Sequence, residues 1–368
     1  MQQLLTQASL VNVLLGIDPA ASVLGAVLLV IAGLGIITKG GDWFTDSAVD
    51  LGRITRIPPL IVGATIVSTA TSFPEFVVAL TGTLTGTSEF AVGNAIGSCL
   101  CNLGLIIGIC AVTHSRIAKK TGVDPGITAG RDVLAGPGVF MLVFTLLVYL
   151  FALFDSGGAV LCEDKAAYGL SRWQAWFLFC GMFVFLGYSV RTARRSRRES
   201  AAESPAVPEE SNSRTPSLTR TVLLFIGGCA MVILGSQLLV SNGRMLAITM
   251  GVPPLIVGLT LLAVGTSLPE LIVSLIALLK GYDDLGLGNI VGSNVMNLCW
   301  VLASCSLASP IPIQRQTIVY DLPFALLLTV FCLAFPWKTE RIGPRVGWLM
   351  LATYASYLSG LLWWGFGR

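Results

Sequence analysis

Two glutamates stand in matching settings inside apolar sequence. Glu75 closes the run Thr71-Ser72-Phe73-Pro74-Glu75, and Glu270 closes Thr266-Ser267-Leu268-Pro269-Glu270. Proline removes a backbone donor and its ring clashes with the preceding turn, so each run predicts a broken helix that offers hydroxyl, carbonyl and carboxylate oxygens together. Irregular backbone of this kind survives in a bilayer only where it lines a polar cavity or is buried in protein. Further along, Ser98 and Asn102 stand one helical turn apart on one face, as do Ser293 and Asn297, and these add neutral oxygens. Such all-oxygen donors suit hard cations such as Na+ and Ca2+ rather than soft metals. A carboxylate at the bilayer centre costs roughly 2.5 to 3.5 kcal/mol on insertion scales. Two neighbouring ones should therefore not stay ionised without Ca2+, more than one Na+, or protons. The implied chemistry is competition of cations for one set of oxygens whose empty, charged form is too unfavourable to reorient freely.

The two runs belong to a longer duplication. The stretch Pro58 to Gly108 recurs 195 positions later as Pro253 to Ala303 with no insertion or deletion. Identities fall on Gly63 and Gly258, Thr65 and Thr260, the Thr-Ser and Pro-Glu pairs, Gly93-Asn94 and Gly288-Asn289, Ser98 and Ser293, and Asn102 and Asn297. Small, polar and helix-breaking residues are the ones retained, which is the mark of a duplicated site rather than of a duplicated packing surface.

What must position them follows from composition. The chain is 54% hydrophobic and only 12% charged, about half the charge of a soluble domain, so an integral membrane protein is expected. Runs able to cross a core of about 30 Å lie near Val23 to Ile37, Leu60 to Leu84, Phe90 to Val112, Val133 to Phe154, Trp173 to Val190, Val222 to Val240, Leu255 to Leu279, Leu285 to Leu307, Ile318 to Phe335 and Val346 to Leu362. An odd number of spans in each half makes the second half enter from the opposite side. The expected fold is all-α: ten transmembrane helices in two inverted five-helix repeats, broken at the midplane, where Glu75 and Glu270 can meet. The halves are residues 1–190 and 221–368, joined by a disordered cytoplasmic linker, 191–220, rich in Ser, Pro, Glu and Arg.

Basic residues mark the inner side. Arg53 and Arg56, Arg116 to Arg131, Arg191 to Arg198, and Lys338 to Arg345 fall in alternate loops, whereas Asp155, Glu163 and Asp164 mark an intervening one. Both termini are then expected on the outer face, with no cleavable signal peptide because no basic region precedes the first apolar stretch. The arginines of the linker read as part of this signal, with phosphorylation or lipid binding as the alternative role for the cluster. His114, in a basic loop, reads as a surface residue, and Asp283, Asp284 and Glu89 either as residues that attract cations to a cavity mouth or as solvated loop residues. The cysteines, including Cys99 and Cys101, read as membrane-core residues, and no paired spacing suggests zinc. Trp173, Trp337 and Trp348 fit interfacial anchors.

GTSLPE together with GNIVGSNVMN resembles the alpha repeats of the sodium/calcium exchanger family, within the calcium/cation antiporter superfamily, and the likeness covers nearly the whole chain. The resemblance implies four cation sites around the paired glutamates and alternating-access exchange of Na+ against Ca2+. The first helices of each half would slide across the core. Carried over residue by residue, the ligands would be Glu75 and Glu270, hydroxyls or carbonyls of Thr71, Ser72, Thr266 and Ser267, carbonyls of Ser68 and Ala263, hydroxyls of Ser98 and Ser293, and the side-chain oxygens of Asn102 and Asn297. Two departures stand out. Ala70 replaces the family's glycine before Thr-Ser, and asparagine occupies both 102 and 297, where many members carry one aspartate. The expectation is a compact bacterial-type inner-membrane Ca2+ extruder with no cofactor, no nucleic acid and no obligate protein partner. Exchange of Ca2+ for H+, or of another divalent cation, is the alternative within the superfamily, with K+ or H+ as candidate further transported ions, and a passive channel is the alternative outside it.

Overall fold

The chain is described from a computed structural model over residues 23–85, 89–121, 125–155, 169–203, 217–250, 263–309 and 311–366. These residues are almost wholly helical. In chain order the helices are α1 (Val23–Thr55), α2 (Pro59–Thr71), α3 (Phe73–Leu84), α4 (Ala91–Lys119), α5 (Arg131–Phe154), α6 (Arg172–Glu203), α7 (Leu218–Thr249), α8 (Ala263–Thr266), α9 (Leu268–Leu279), α10 (Asp283–Ala308), α11 (Thr317–Thr339) and α12 (Pro344–Phe366). Among the described residues seven helices are long and apolar enough to cross a membrane, or eight if α2 and α3 form one bent span. Two further expected spans correspond to the short α9 and to α12, and residues 255–262 of the seventh expected span lie outside the described residues, as do Glu163 and Asp164.

Several boundaries differ from those read off the sequence. Helix α1 does not stop near Ile37 but runs through Asp42, Asp46 and Asp50. These carboxylates are one turn apart, and Lys280 Nζ lies 3.1 Å from Asp42 and 2.8 Å from Asp46, so the charge is partnered without breaking the helix. Helix α6 continues past Val190 through the arginine cluster to Glu203. Its Arg-, Ala- and Glu-rich sequence favours helix, which corrects the disordered reading for 191–203; residues 204–216 lie outside the described residues.

Helices α4 and α10 form the centre. Of the apolar stretch of each, 78% and 83% is buried, against 22% and 28% in α1 and α7. The latter two pack along each other at the periphery with their apolar outer faces, such as Leu24, Leu28 and Ile31 on α1 and Leu223 and Ile226 on α7, exposed. Their contact depends on glycine: a Cβ on Gly40 would strike Met231 and Val232, and one on Gly228 would strike the backbone of Phe44. Small residues let membrane helices approach to backbone contact, where van der Waals packing replaces the missing hydrophobic drive.

Two short antiparallel ribbons tie the ends. Ile127–Thr128 (β1) pairs with Arg341–Ile342 (β4), and Gly169–Leu170 (β2) with Ile311–Pro312 (β3). Beside the first, Arg131 meets Glu340 at 3.0 Å. Each ribbon joins two loops that the ten-span reading puts on one side. Shifting by five spans converts the first ribbon's pair of loops into the second's, so the pairing pattern carries the same internal duplication as the sequence.

Candidate functional site

Both proline motifs break their helices at the serine. Ser72 (φ −81°, ψ 0°) separates α2 from α3, which bend by 41°, and Ser267 (φ −90°, ψ 7°) separates α8 from α9. Pro74 and Pro269 occupy the first turn of the following helix, where a missing N–H costs nothing. Glu75 and Glu270 fall in that same first turn, at the positive end of the helix dipole. Pro74 also leaves the Ala70 carbonyl without its helical donor, and the Cys229 thiol approaches it at 3.9 Å.

Helix α2 lies backbone to backbone on α10. A Cβ on Gly63 would strike the Leu285 carbonyl, and one on Gly292 would strike the Ala64 backbone. This close approach brings the first break against the second half. Ser72 Oγ donates to Glu270 Oε1 at 3.3 Å, Thr71 Oγ1 donates to Asn289 Oδ1 at 3.2 Å, and Thr71 Oγ1 lies 3.4 Å from Ser293 Oγ. Asn289 Nδ2 in turn donates to Ser274 Oγ at 2.9 Å. Across the centre Asn102 Nδ2 donates to Asn294 Oδ1 at 3.1 Å, and Asn94 Nδ2 donates to the Glu75 carbonyl at 3.1 Å. Glu75 and Glu270 are both wholly buried.

The remaining polar atoms are the informative ones. Both carboxylate oxygens of Glu75, Oε2 of Glu270, the hydroxyls of Ser98, Thr266 and Ser267, Oδ1 of Asn102 and the whole side-chain amide of Asn297 are buried without a hydrogen-bond partner in the protein. Buried polar groups are ordinarily paired because desolvation costs several kcal/mol otherwise. Here nearly all of them are oxygens, so the chemistry of the set fits a hard cation. Ser68 is tied up locally: its hydroxyl donates to the Ala64 carbonyl at 2.8 Å, and its own carbonyl accepts from the Ser72 N–H at 2.9 Å. Ala263 opens α8. The twelve residues thus divide into a bonded set, Ser68, Thr71, Ser72, Asn102 and Ser293 with Glu270 Oε1, and a set of unpaired oxygens, with Ala263 contributing backbone only.

Three partners of these residues, Asn94, Asn289 and Asn294, and Ser274, which accepts from Asn289, escaped the sequence reading as site residues. The Gly-Asn identity of the duplication pointed to Asn94 and Asn289. No such signal exists for Asn294, whose counterpart is Cys99, or for Ser274, whose counterpart is Ala79. Helices α4 and α10 also carry π-helical turns, Cys101–Ile106 and Asn297–Leu302, at the two asparagines. The wider π turn is frequent at functional sites. His114 corrects its surface reading: its Nε2 is 3.7 Å from Asp283 Oδ1, with both side chains mostly buried. Asp283 is likewise no loop residue. It opens α10 and accepts the Thr128 N–H at 2.8 Å.

Comparison with known proteins gives a consistent picture. The family model described as sodium/calcium exchanger protein matches residues 25–191 and 220–363. CaxA of Alkalimonas amylolytica, an antiporter candidate, is 33% identical over 338 residues, 90% of this chain and 97% of that protein. The sodium/calcium exchanger MaX1 of Methanosarcina acetivorans is 25% identical over 349 residues, again 90% and 97%. Among solved structures, the sodium-calcium exchanger NCX_Mj superposes with a TM-score of 0.72 at 26% identity, covering 92% of this chain and 100% of that one.

Proposed function

Because this chain belongs to the sodium/calcium exchanger protein family, we propose that it exchanges Na+ for Ca2+ and uses the sodium gradient to extrude Ca2+. The family is one of transporters, so the chain is a multi-pass membrane antiporter and no enzyme. The observation that carries the finer reading is the pair of buried glutamates, one from each copy of the duplication, set at matched helix breaks, with Ser72 of the first break donating to Glu270 of the second.

Charge balance sets the mechanism. One Ca2+ or two Na+ neutralise two carboxylates, and either loading removes the cost of carrying bare charge through the bilayer. The unpaired oxygens of Thr266, Ser267, Ser98, Asn102 and Asn297, with those of Thr71, Ser72 and Ser293, complete the coordination, and carbonyls of Ser68 and Ala263 extend it to the flanking sites. With asparagine at 102 and 297 the site holds two formal charges, which favours an electroneutral cycle. The ions are the cargo; the protein's part is to hold oxygens in place and to expose them to one side at a time.

The broken symmetry of the contacts supports alternating access. Thr71 is bonded to α10, whereas its counterpart Thr266 and the matching Ser98 on α4 have no partner. One half-site is closed on its neighbour and the other is not, as expected of a repeat pair caught in one of two equivalent states. In this reading ten helices form two inverted repeats in the inner cell membrane, with residues 191–220 cytoplasmic and both termini outside.

The test is isotope flux in proteoliposomes with Na+, K+ and H+ gradients imposed one at a time. Calcium uptake that requires an opposed Na+ gradient supports the proposal. Uptake driven by a pH gradient alone would transfer it to Ca2+/H+ exchange, and uptake without any counter-ion to a channel.

A further inference from the structure

A cavity of about 700 Å3 lies behind α2 and is walled by the end of α1, by α6 and by α7. Its volume falls in the range of small-molecule sites. The wall is largely apolar, with Ile61, Ile66 and Phe73 on the α2 side and Ile233 on α7, and besides Thr55, Thr65 and Thr69 it carries three further polar residues. Arg56 and Arg194 line it, and neither has an ion-pair partner among the described residues. Arg56 sits in the left-handed region at φ 55°, just where the chain turns from α1 into α2. Ser189, on α6, also lines it and is wholly buried, yet its hydroxyl has no hydrogen-bond partner.

We propose that this cavity is a binding site for an anionic phospholipid, with an acyl chain along the apolar wall, the headgroup phosphate on Arg56 and Arg194, and Ser189 donating to the ester region. The charge pattern selects this occupant. A neutral hydrocarbon leaves two guanidinium groups and a buried hydroxyl unused, and a free phosphate leaves the apolar wall bare. Basic pockets between membrane helices at the inner face are suited to anionic headgroups, and both arginines lie in the segments that the positive-residue bias assigns to that face. The wall formed by Thr65, Thr69 and Ala70 is the back of the helix whose other side carries Ser68 and Thr71. The site therefore abuts the ion-binding break without sharing its oxygens, and it stands independently of which ions are exchanged.

The experiment is a native mass-spectrometric titration of the full chain with phosphatidylglycerol and with phosphatidylcholine of the same acyl chains. One phosphatidylglycerol should bind preferentially. An arginine beside an anionic headgroup contributes about a fivefold preference, so Arg56→Gln with Arg194→Gln should abolish a preference of roughly 25-fold. Ala193→Trp, which fills the cavity beside Ser189, should displace both lipids. Equal binding of the two lipids, or a preference that survives the double arginine variant, overturns the proposal. So does binding of phosphatidylglycerol only after Glu209→Gln and Glu210→Gln, because the occupant is then the chain's own acidic segment. Both arginines are exposed, so the double variant stays informative even if Ala193→Trp fails to fold.

Discussion

Replacing Glu75 by glutamine changes charge while keeping shape and one oxygen donor. Both Glu75 carboxylate oxygens are buried with no protein partner, so no hydrogen bond is lost with the charge and the effect reports on the bound ion. At a pH high enough to keep the empty site ionised, the insertion cost of the carboxylate and its repulsion with Glu270 are present with and without the ion, and cancel in the binding equilibrium. What remains is the attraction between Glu75 and the cation. At an effective dielectric constant of about 20 a unit pair about 4 Å apart gains roughly 4 kcal/mol, and a divalent ion gains twice that. Glu75→Gln should therefore weaken Na+ binding by up to roughly 4 kcal/mol and Ca2+ binding by up to roughly 8 kcal/mol, each reduced by the attraction of the amide dipole, which also scales with the ion's charge. The preference should shift from Ca2+ towards Na+ by up to about a thousandfold. Equilibrium binding of radioactive calcium and sodium to purified protein reads it, with the melting temperature as a check on folding. An equal fold loss for both ions, or unchanged Ca2+ affinity, would refute the charge argument.

Two further outcomes follow from the geometry. Asn297→Asp adds a third carboxylate to the site; the wild-type chain should move no net charge per Ca2+ in voltage-clamped proteoliposomes, and the variant should generate a current. Gly292→Leu drives a side chain into the Ala64 backbone and should cost about 1 to 3 kcal/mol through overpacking, read as a lowered melting temperature together with slowed exchange.

The breaks were legible in the sequence because their cause is local. Pro74 and Pro269 each remove a donor at a fixed place, and the duplication repeats the offence at the same offset, so Ser72 and Ser267 could be anticipated as the points of interruption. The helical class and most span centres were legible for the same reason, as long apolar runs. What escaped is what depends on partners far along the chain. Asn94, Ser274, Asn289 and Asn294 are ordinary helical residues until α2 is laid against α10 and α4 against the Pro-Glu turn. Two of the three aspartates through which α1 continues, Asp42 and Asp46, are paired with Lys280, more than two hundred residues away. The π turns at Asn102 and Asn297 arise from packing and leave no periodic mark, and the burial of His114 beside Asp283 follows from the meeting of α4 and α10.

The central claim is that one divalent ion is held jointly by the two duplicates, and diffraction from crystals containing strontium as an anomalously scattering stand-in for calcium tests it most directly. The account predicts a peak at roughly 2.3 to 2.6 Å from carboxylate oxygens of both Glu75 and Glu270. A peak bound to only one of them, or seated elsewhere in the protein, would contradict it.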